Sequence, residues 1–267
     1  MQVLEAAVAA NPWPLRRERA AELAERYPHA AEMLRLYRAL TVVQEAAYSI
    51  PTPQNVAAAA TEHVLPGVID ITVEAGPRAL RDGVIALYAS ANLEEMIQRW
   101  LDEEPLNPFE TYLARASASP LLEAVTPHPA PPPQEGREFE TEGARTHCPN
   151  CRGLPQLSYF AISGEALVSG PRYLVCSRCA TNWIFSRMTC AGCGESNGTK
   201  LPIYQEQEQF PHARVDGCQT CRKYLLTFDL RRDTRAVPIV DEIASLPLDL
   251  YARDQGLTKI TPNLMGN

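Results

Sequence analysis

The sequence contains no long hydrophobic run. No segment of the 267 residues approaches the roughly 18–20 consecutive apolar residues that a membrane-spanning helix requires. The first residues also lack a positively charged stretch followed by an apolar one, which is the pattern of a secretory signal peptide. We therefore expect a cytoplasmic protein that does not insert into a membrane.

The sequence also lacks an unpaired cysteine. All eight cysteines occur in C-x-x-C pairs, and disulfides are rare in the reducing cytoplasm. Metal ligation is therefore the expected use of these thiols. With 45% apolar residues, the chain can bury a core of its own, so it does not need metal merely to fold.

Charge is divided unevenly along the chain. Residues 1–143 carry a net charge of −10, residues 144–235 carry +5, and the remainder carries −2. An acidic first half disfavours binding of nucleic acid along the whole chain. The mildly basic segment leaves a local nucleic-acid site open as an alternative.

Residues 1–125 are predicted to form a helical bundle, because glycine is scarce and apolar residues recur at helical spacing. One long helix is expected between Pro28 and Pro51, and two helix starts are signalled by Asn92 and by Asn107 with Pro108. No pair of carboxylates here indicates acid–base catalysis. Two apolar stripes should face the core: Met33, Leu36, Leu40, Val43, Ala47 and Ile50, and then Leu93, Met96, Ile97, Trp100 and Leu101.

Residues 126–145 are predicted to be a linker, since five prolines fall in the seven residues PHPAPPP and proline cannot continue a helix. His128 is interpreted as a linker residue rather than a ligand. Residues 236–267 are predicted to form a short helical tail that packs back on the protein. Its expected apolar face consists of Ile239, Ile243, Leu246, Leu250 and Tyr251.

The cysteines form a tandem repeat. Cys148 and Cys190 are 42 positions apart, and so are Cys176 and Cys218. The flanking residues repeat as well, since THCPNCRG resembles MTCAGCGE. We therefore predict a first four-cysteine unit at residues 146–187 and a second at residues 188–235.

Each unit has the donor set of a closed metal site. Four thiolates complete a tetrahedron around zinc or iron at about 2.3 Å and leave no open position for water or substrate. This favours structure, binding or one-electron chemistry over hydrolysis. The predicted ligands are Cys148, Cys151, Cys176, Cys179, Cys190, Cys193, Cys218 and Cys221.

Counting alone does not fix which C-x-x-C turns share a metal. Pairing within each repeat is favoured, because a duplicated unit brings its own complete site. In the rival arrangement, the two middle turns share one metal and the two outer turns share the other. His147 and His212 are interpreted as bystanders, since four cysteines per repeat already suffice.

The 24 residues between the turns of each unit suit a strand pair or a short three-stranded sheet. The predicted fold class is therefore α+β: a helical bundle, two tandem zinc-ribbon-like units with small sheets, and a helical tail. The aromatic residues are expected to form small cores beneath each metal rather than to stack on bases. They are Tyr159, Phe160, Tyr173, Trp183 and Phe185.

Thiol redox catalysis is a weaker alternative. The segment Cys148-Pro149-Asn150-Cys151 is superficially similar to an oxidoreductase motif. Such a motif normally occurs once, at the start of a helix that lowers the pKa of the thiol. Four evenly repeated copies fit metal ligation better.

The runs HCPNCRGLP, GPRYLVCSRCATNW, RMTCAGC and CQTC followed by KYLL resemble the cysteine domain of the formate dehydrogenase accessory protein FdhE family. RRERAAELAERYP and VDEIASLPLDLYARDQG resemble that family's helical N-terminal and C-terminal regions. One departure is Arg152, which stands where glycine follows the second cysteine at Gly194.

The resemblance implies a cytoplasmic, non-catalytic maturation factor for respiratory formate dehydrogenase. The leading hypothesis is therefore an assembly chaperone that binds the catalytic subunit of that enzyme. The resemblance also implies two rubredoxin-like centres per chain, with iron favoured and zinc as the alternative. Two rival hypotheses are a rubredoxin-like electron carrier and a zinc-ribbon protein that binds nucleic acid.

Overall fold

The computed structural model describes residues 11–51, 53–125, 145–162 and 170–266. The described residues form two compact units. Residues 11–125 with 264–266 make up the helical unit, and residues 145–263 make up the cysteine unit. The predicted α+β class is confirmed. Most of the predicted proline-rich linker, including His128, lies outside the described residues.

The helical unit contains seven α-helices. A short 3-10 turn at Pro28–Ala30 separates the first two, so the helix expected from Pro28 to Pro51 is shorter at both ends. The helices are α1 (Trp13–Arg26), α2 (Ala31–Tyr48), α3 (Val56–His63), α4 (Leu65–Ala75), α5 (Arg78–Ser90), α6 (Leu93–Leu101) and α7 (Pro108–Ala124).

Both predicted helix starts are confirmed. The Asn92 side chain accepts a hydrogen bond from the backbone N–H of Glu95 at the start of α6. Asn107 and Glu110 form a reciprocal capping box at the start of α7, with Pro108 in the first turn. These side chains satisfy backbone donors that have no partner inside the helix.

The stripe along α2 differs from the predicted one. Leu36, Leu40 and Ala47 are buried as expected, but Thr41 and Gln44 are buried as well. The Gln44 Nε2 donates to the backbone carbonyl of Ala116 at 3.0 Å. That carbonyl lies four residues before Pro120 inside α7, and proline has no N–H to donate to it. Gln44 therefore replaces a hydrogen bond that α7 cannot make.

No single helix among the described residues is long and apolar enough to cross a membrane. Helices α3 and α4 are long and apolar enough only when they are taken together, and the chain bends by 47° at their junction. Their buried residues, including Ala60, Val64 and Val68, belong to the core of the helical unit.

The cysteine unit is built on one mixed β-sheet. Its strands are β1 (Pro155–Phe160), β2 (Arg172–Cys176), β3 (Asn182–Phe185), β4 (Ile203–Tyr204), β5 (Ala213–Gly217), β6 (Lys223–Asp229) and β7 (Thr258–Lys259). The order across the sheet is β3-β2-β1-β6-β5-β4, and β7 also pairs with β6.

Both repeats contribute to this single sheet, where two small sheets were expected. Each repeat supplies one antiparallel three-stranded meander, and the two meanders have the same strand order. They join through parallel pairing of β1 with β6, in which Leu157 lies opposite Leu226. This pairing removes two exposed sheet edges and makes the two repeats one folding unit.

The tail forms α8 (Pro238–Ala244), α9 (Leu246–Asp254) and β7 within the cysteine unit. The predicted apolar face was wrong in part, because Leu250 and Tyr251 are exposed. The side chains of α8 and α9 that face the protein interior include Glu242 and Asp249, which are fully buried. Their charges are matched by Lys259 on β7, at 2.8 and 3.0 Å respectively.

Candidate metal centres

The first centre lies at the ends of β1, β2 and β3. Cys148 and Cys151 form the turn before β1, and Cys176 and Cys179 form the turn between β2 and β3. The sulfur atoms of Cys151 and Cys176 are 3.4 Å apart, and those of Cys148 and Cys179 are 3.7 Å apart. All four sulfur atoms lie within 4.8 Å of one another.

The second centre repeats this arrangement 42 residues later. The sulfur atoms of Cys190 and Cys221 are 3.7 Å apart, and those of Cys193 and Cys218 are 3.8 Å apart. All four again lie within 4.8 Å of one another. The structure therefore groups the cysteines within each repeat, and it does not show the rival grouping of middle and outer turns.

Backbone hydrogen bonds give the four cysteine turns a common shape. The N–H of Cys148 donates to the carbonyl of Gly153 at 2.9 Å, and the N–H of Cys190 donates to that of Glu195 at 2.8 Å. The N–H of Cys176 and that of Cys218 each donate to the carbonyl five residues later, at 2.9 Å. The conformation of the turns thus repeats with the sequence.

The residue after the second cysteine of every turn adopts a positive φ. The values are 66° for Arg152, 52° for Ala180, 78° for Gly194 and 57° for Arg222. A left-handed conformation is ordinary for glycine but costs other residues roughly 1–2 kcal/mol. Three of the four turns therefore contain a strained non-glycine residue, a cost that ligation of a metal would offset.

Backbone N–H groups also point at the sulfur atoms. The N–H of Asn150 lies 3.4 Å from the Cys148 sulfur, and the N–H of Gly192 lies 3.3 Å from the Cys190 sulfur. Such donors spread the negative charge of a ligating thiolate and orient it. This arrangement is the one expected for a metal–thiolate knuckle.

The two sulfur tetrahedra have the size that a metal requires. Bonds of about 2.3 Å in a regular tetrahedron place the sulfur atoms about 3.8 Å apart. Five of the sulfur–sulfur separations are 3.4–3.8 Å, close to this value, and all lie within 4.8 Å. The two four-cysteine groups could therefore hold two metal ions, each with a closed set of protein ligands.

Contacts between the thiols of the first centre separate their pKa values. Interaction with Cys151 lowers the pKa of Cys148 to about 6. Interaction with Cys148 lowers the pKa of Cys179 and raises those of Cys151 and Cys176. The lowered pKa values of Cys148 and Cys179 favour their thiolate forms, and the thiolate is the form that binds a metal cation.

The two centres differ in exposure. In the first, Cys148, Cys176 and Cys179 are buried and Cys151 is half-buried. In the second, Cys193 is exposed and Cys221 is half-buried, while the other two cysteines are buried. Solvent therefore reaches the second centre more readily than the first.

Neither bystander histidine belongs to a four-cysteine group. His147 is exposed, and its Nδ1 lies 3.1 Å from the hydroxyl of Thr146. His212 is buried directly before β5 and lies near Asp233 and Asp241. Its Nε2 is 3.1 Å from Asp241, which also accepts the N–H of Val237 at 2.8 Å.

The His212 group was not predicted from the sequence. Its three residues come from three separate segments, so no local spacing signals it. Because Asp241 already caps the start of α8 through Val237, the contact with His212 joins α8 to the residue directly before β5. We interpret this group as part of the packing between the tail and the sheet.

The expected aromatic cores are present in part. Phe160, Trp183 and Phe185 are buried, whereas Tyr159 and Tyr173 are half-buried and stack on each other with ring centroids 5.3 Å apart. The indole N–H of Trp183 donates to the carbonyl of Arg145 at 2.9 Å. Arginine side chains also surround Phe160, and the sequence did not predict these contacts.

Comparisons with known proteins agree with this geometry. Residues 147–187 match the family model of the FdhE central domain, and residues 188–265 match that of the FdhE C-terminal domain. A protein FdhE homolog from Aquifex aeolicus is 34% identical over 122 residues, which cover 46% of this chain and 42% of that protein. A homolog from Pseudomonas aeruginosa is 35% identical over 135 residues, which cover 49% of this chain and 43% of that protein.

These two sequence matches each span less than half of the relative's length. A wider likeness is found with the crystal structure of the FdhE protein from Pseudomonas aeruginosa. It has a TM-score of 0.68 and 23% identity, and the alignment covers 95% of this chain and 94% of that one. This likeness extends the shared fold to both units.

The two domain models, the relatives and the repeated four-cysteine groups all indicate one conclusion: residues 147–265 of this chain are similar to the central and C-terminal domains of the FdhE family.

Proposed function

We propose that this chain is a non-catalytic accessory factor for the assembly of respiratory formate dehydrogenase. It acts in the cytoplasm and binds the catalytic subunit of that enzyme. The two closed four-cysteine groups carry the proposal, together with the similarity of their segment to the FdhE family. A site in which the protein supplies all four ligands has no position left for a substrate, which supports a binding role over catalysis.

We propose further that all eight cysteines ligate metal and that the metal is iron, with one ion in each centre. Four thiolates accept either iron or zinc, so metal analysis decides between them. Protein purified without oxygen and without added metal should contain about two iron atoms per chain and show thiolate-to-iron charge-transfer bands. Two zinc atoms and no visible absorption would exclude the iron centres and leave the sites structural.

The helical unit supplies a candidate client surface. The exposed carboxylates at the two ends of α6 are Glu94, Glu95, Asp102, Glu103 and Glu104. Such a surface would attract a basic segment, such as an export signal on the client. The interaction should weaken as salt screens it.

Two of these carboxylates are best suited to a charge-reversal test of the client surface. Asp102 accepts hydrogen bonds from Gln98, and Glu104 is paired with Arg99, so reversing either charge would also perturb the helical unit. Glu94 and Glu95 lie in the first turn of α6 with exposed side chains. The double variant Glu94→Lys and Glu95→Lys should weaken binding of the catalytic subunit at low salt.

A matched control reverses two exposed carboxylates on α1, Glu18 and Glu25. This variant changes the net charge by the same amount on another helix. Equal loss of binding in both variants would mean that only the net charge matters. Unchanged binding in the α6 variant would rule out this surface, whereas failure of the unaltered chain to bind the catalytic subunit would rule out the accessory role itself.

An electron carrier is the second candidate, and the exposure of Cys193 favours it. A ligand at the surface shortens the path for an electron between a metal centre and a partner. Reversible reduction of an iron-loaded chain, with iron retained in both states, would support this candidate. Loss of iron on reduction would exclude it.

A further inference from the structure

A cavity of about 200 Å³ opens on the cysteine unit where the two repeats meet. Its wall includes Phe160 and Arg172 from the first repeat and Ile203 and Arg214 from the second. Arg187, the last residue of the first repeat, also lines the cavity. The cavity therefore exists only because the two repeats share one sheet.

Guanidinium groups surround the ring of Phe160. The guanidinium carbons of Arg214, Arg187 and Arg231 lie 4.9, 5.0 and 5.6 Å from the ring centroid. The ring is almost fully buried, so it serves as a platform that holds the three cations in place.

Positive charge exceeds negative charge at this platform. Asp216 is shared by Arg172 and Arg214, at 3.2 and 2.8 Å, and Asp229 pairs with Arg231 at 2.6 Å. Among the described residues, no carboxylate is paired with Arg187, whose guanidinium donates only to the backbone carbonyl of Gly170. Within the part of the chain that the structure describes, four arginines thus face two aspartates, and Arg187 retains its capacity to bind an anion.

The cavity also has apolar lining that is partly exposed. Met188 and Ile203 are 60% and 53% exposed, and both line the cavity. Leu201, Pro202 and Ile260 form the adjoining wall. Exposed apolar side chains beside a set of arginines are typical of an interaction site.

We propose that this cavity is a docking site for an acidic peptide segment. A carboxylate of the segment binds Arg187 and Arg214, and a neighbouring apolar side chain enters between Met188 and Ile203. The cavity is smaller than the roughly 300–1,000 Å³ that encloses a whole drug-sized ligand, so it suits part of a chain. A free anion would use the arginines and leave the apolar wall unfilled.

This site is separate from the proposed accessory role. It lies on the basic cysteine unit and takes an acidic segment, whereas the surface on α6 is acidic and takes a basic one. The chain would therefore hold two segments of opposite charge. Binding at the cavity is tested with the chain alone and requires no formate dehydrogenase.

The test is fluorescence anisotropy of the metal-loaded full chain with a labelled peptide of about ten residues in which Glu and Leu alternate. Two control peptides replace every Glu by Gln or every Leu by Ser. The Glu-Leu peptide should bind, and each control should bind about tenfold more weakly or worse, since each loses one of the two contacts. Affinity should also fall as salt rises from about 50 to 300 mM.

Variants locate the binding. Arg187→Gln removes the arginine that has no carboxylate partner among the described residues. Ile203→Glu places a negative charge in the apolar lining. Each substitution should weaken binding of the Glu-Leu peptide about tenfold. The matched controls are Arg235→Gln and Leu250→Glu, at exposed positions of the same unit that do not line the cavity. Circular dichroism and metal content should be unchanged in all four variants.

Several outcomes would overturn the proposal. Equal affinity of the three peptides, or equal loss in the variants and their controls, would show that no specific site exists. Competition by inorganic phosphate at the peptide's own concentration would indicate a small-anion site instead. Tighter binding of a single-stranded oligonucleotide would assign the arginines to nucleic acid. The Glu94→Lys, Glu95→Lys variant should bind the peptide normally, which separates this proposal from the client surface on α6.

Discussion

The guanidinium of Arg172, on β2 of the first repeat, lies 3.2 Å from the carboxylate of Asp216, on β5 of the second. Arg172 also donates to the Ser158 hydroxyl at 3.1 Å and to the backbone carbonyls of Ser186 and Thr189 at 3.3 and 3.1 Å. Thr189 directly precedes Cys190, and Asp216 stands two residues before Cys218. One side chain of the first repeat thus supports both cysteine turns of the second centre.

Replacing Arg172 by Met should destabilise the cysteine unit by roughly 3 kcal/mol, since it leaves buried carbonyls and part of Asp216 without a partner. The loss is moderated because Arg214 still pairs with Asp216. Urea unfolding of the metal-loaded chain measures this change. Metal at the second centre should also be lost at a lower denaturant concentration than metal at the first.

Arg231→Met is the control for that prediction. Its pair with Asp229 is partly exposed, and such pairs contribute less than about 1 kcal/mol. If the two variants unfold at the same urea concentration, Arg172 does not hold the repeats together.

The difference in exposure between the centres predicts two rates of metal release. A competing chelator attacks a metal through its most accessible ligand, and Cys193 is exposed whereas the first centre has only half-buried Cys151 at its surface. Release to excess chelator should therefore be biphasic, with about one metal per chain in each phase. Absorbance of the chelator–metal complex follows both phases.

Cysteine variants assign these phases. Cys193→Ser should abolish the fast phase and leave the slow one, and Cys151→Ser should do the reverse. A single phase in the unaltered chain, or loss of the slow phase in Cys193→Ser, would contradict the assignment.

The grouping of the cysteines was predictable because it depends on local spacing. A C-x-x-C turn brings two sulfur atoms together whatever surrounds it, and the 42-residue repeat indicated which turns belong together. The caps at Asn92 and Asn107 were predictable for the same reason, since a cap acts within three residues.

What could not be predicted depends on residues distant in sequence. Gln44 is buried because a carbonyl of α7 lacks a donor, and hydrophobic periodicity assigns no core position to a glutamine. Glu242 and Asp249 are buried because Lys259 arrives from β7. The tail was therefore expected to bury Leu250 and Tyr251 in place of its charged residues.

Arg152 and Gly194 occupy equivalent positions of the two repeats with similar φ values of 66° and 78°. Arg152→Gly should stabilise the cysteine unit by about 1 kcal/mol, because glycine adopts this conformation without strain. Gly194→Ala should destabilise it by a similar amount. A Cβ at Gly194 meets no atom within 4 Å, so the loss of stability in Gly194→Ala reflects backbone strain and not a steric clash.

Urea midpoints at equal metal content test this pair of substitutions. Opposite shifts are expected. If both substitutions destabilise the unit, the Arg152 side chain makes a contribution that exceeds its backbone strain.

Lys259 is the cation that allows Glu242 and Asp249 to be buried together. Its ammonium lies 2.8 Å from Glu242 and 3.0 Å from Asp249, and Tyr224 donates to Asp249 at 2.9 Å. Burial raises the pKa of Glu242 above its ordinary value of 4.5, an effect that the Lys259 charge opposes and the Asp249 charge increases. Lys259→Met should therefore raise the pKa of Glu242 further.

Because Lys259→Met leaves two buried carboxylates without a cation, it should destabilise the cysteine unit by about 3–5 kcal/mol at neutral pH. When folding raises the pKa of a carboxyl, the protein loses stability as pH rises from the pKa of the unfolded state, about 4.5, through the pKa of the folded state. The difference in free energy of unfolding between the natural chain and the variant should thus shrink as pH falls from 7 towards about 5. Urea unfolding at several pH values measures it, and the double variant Lys259→Met, Glu242→Gln should recover part of the stability at pH 7. A difference that stays constant with pH would show that lost packing, and not buried negative charge, is the cause.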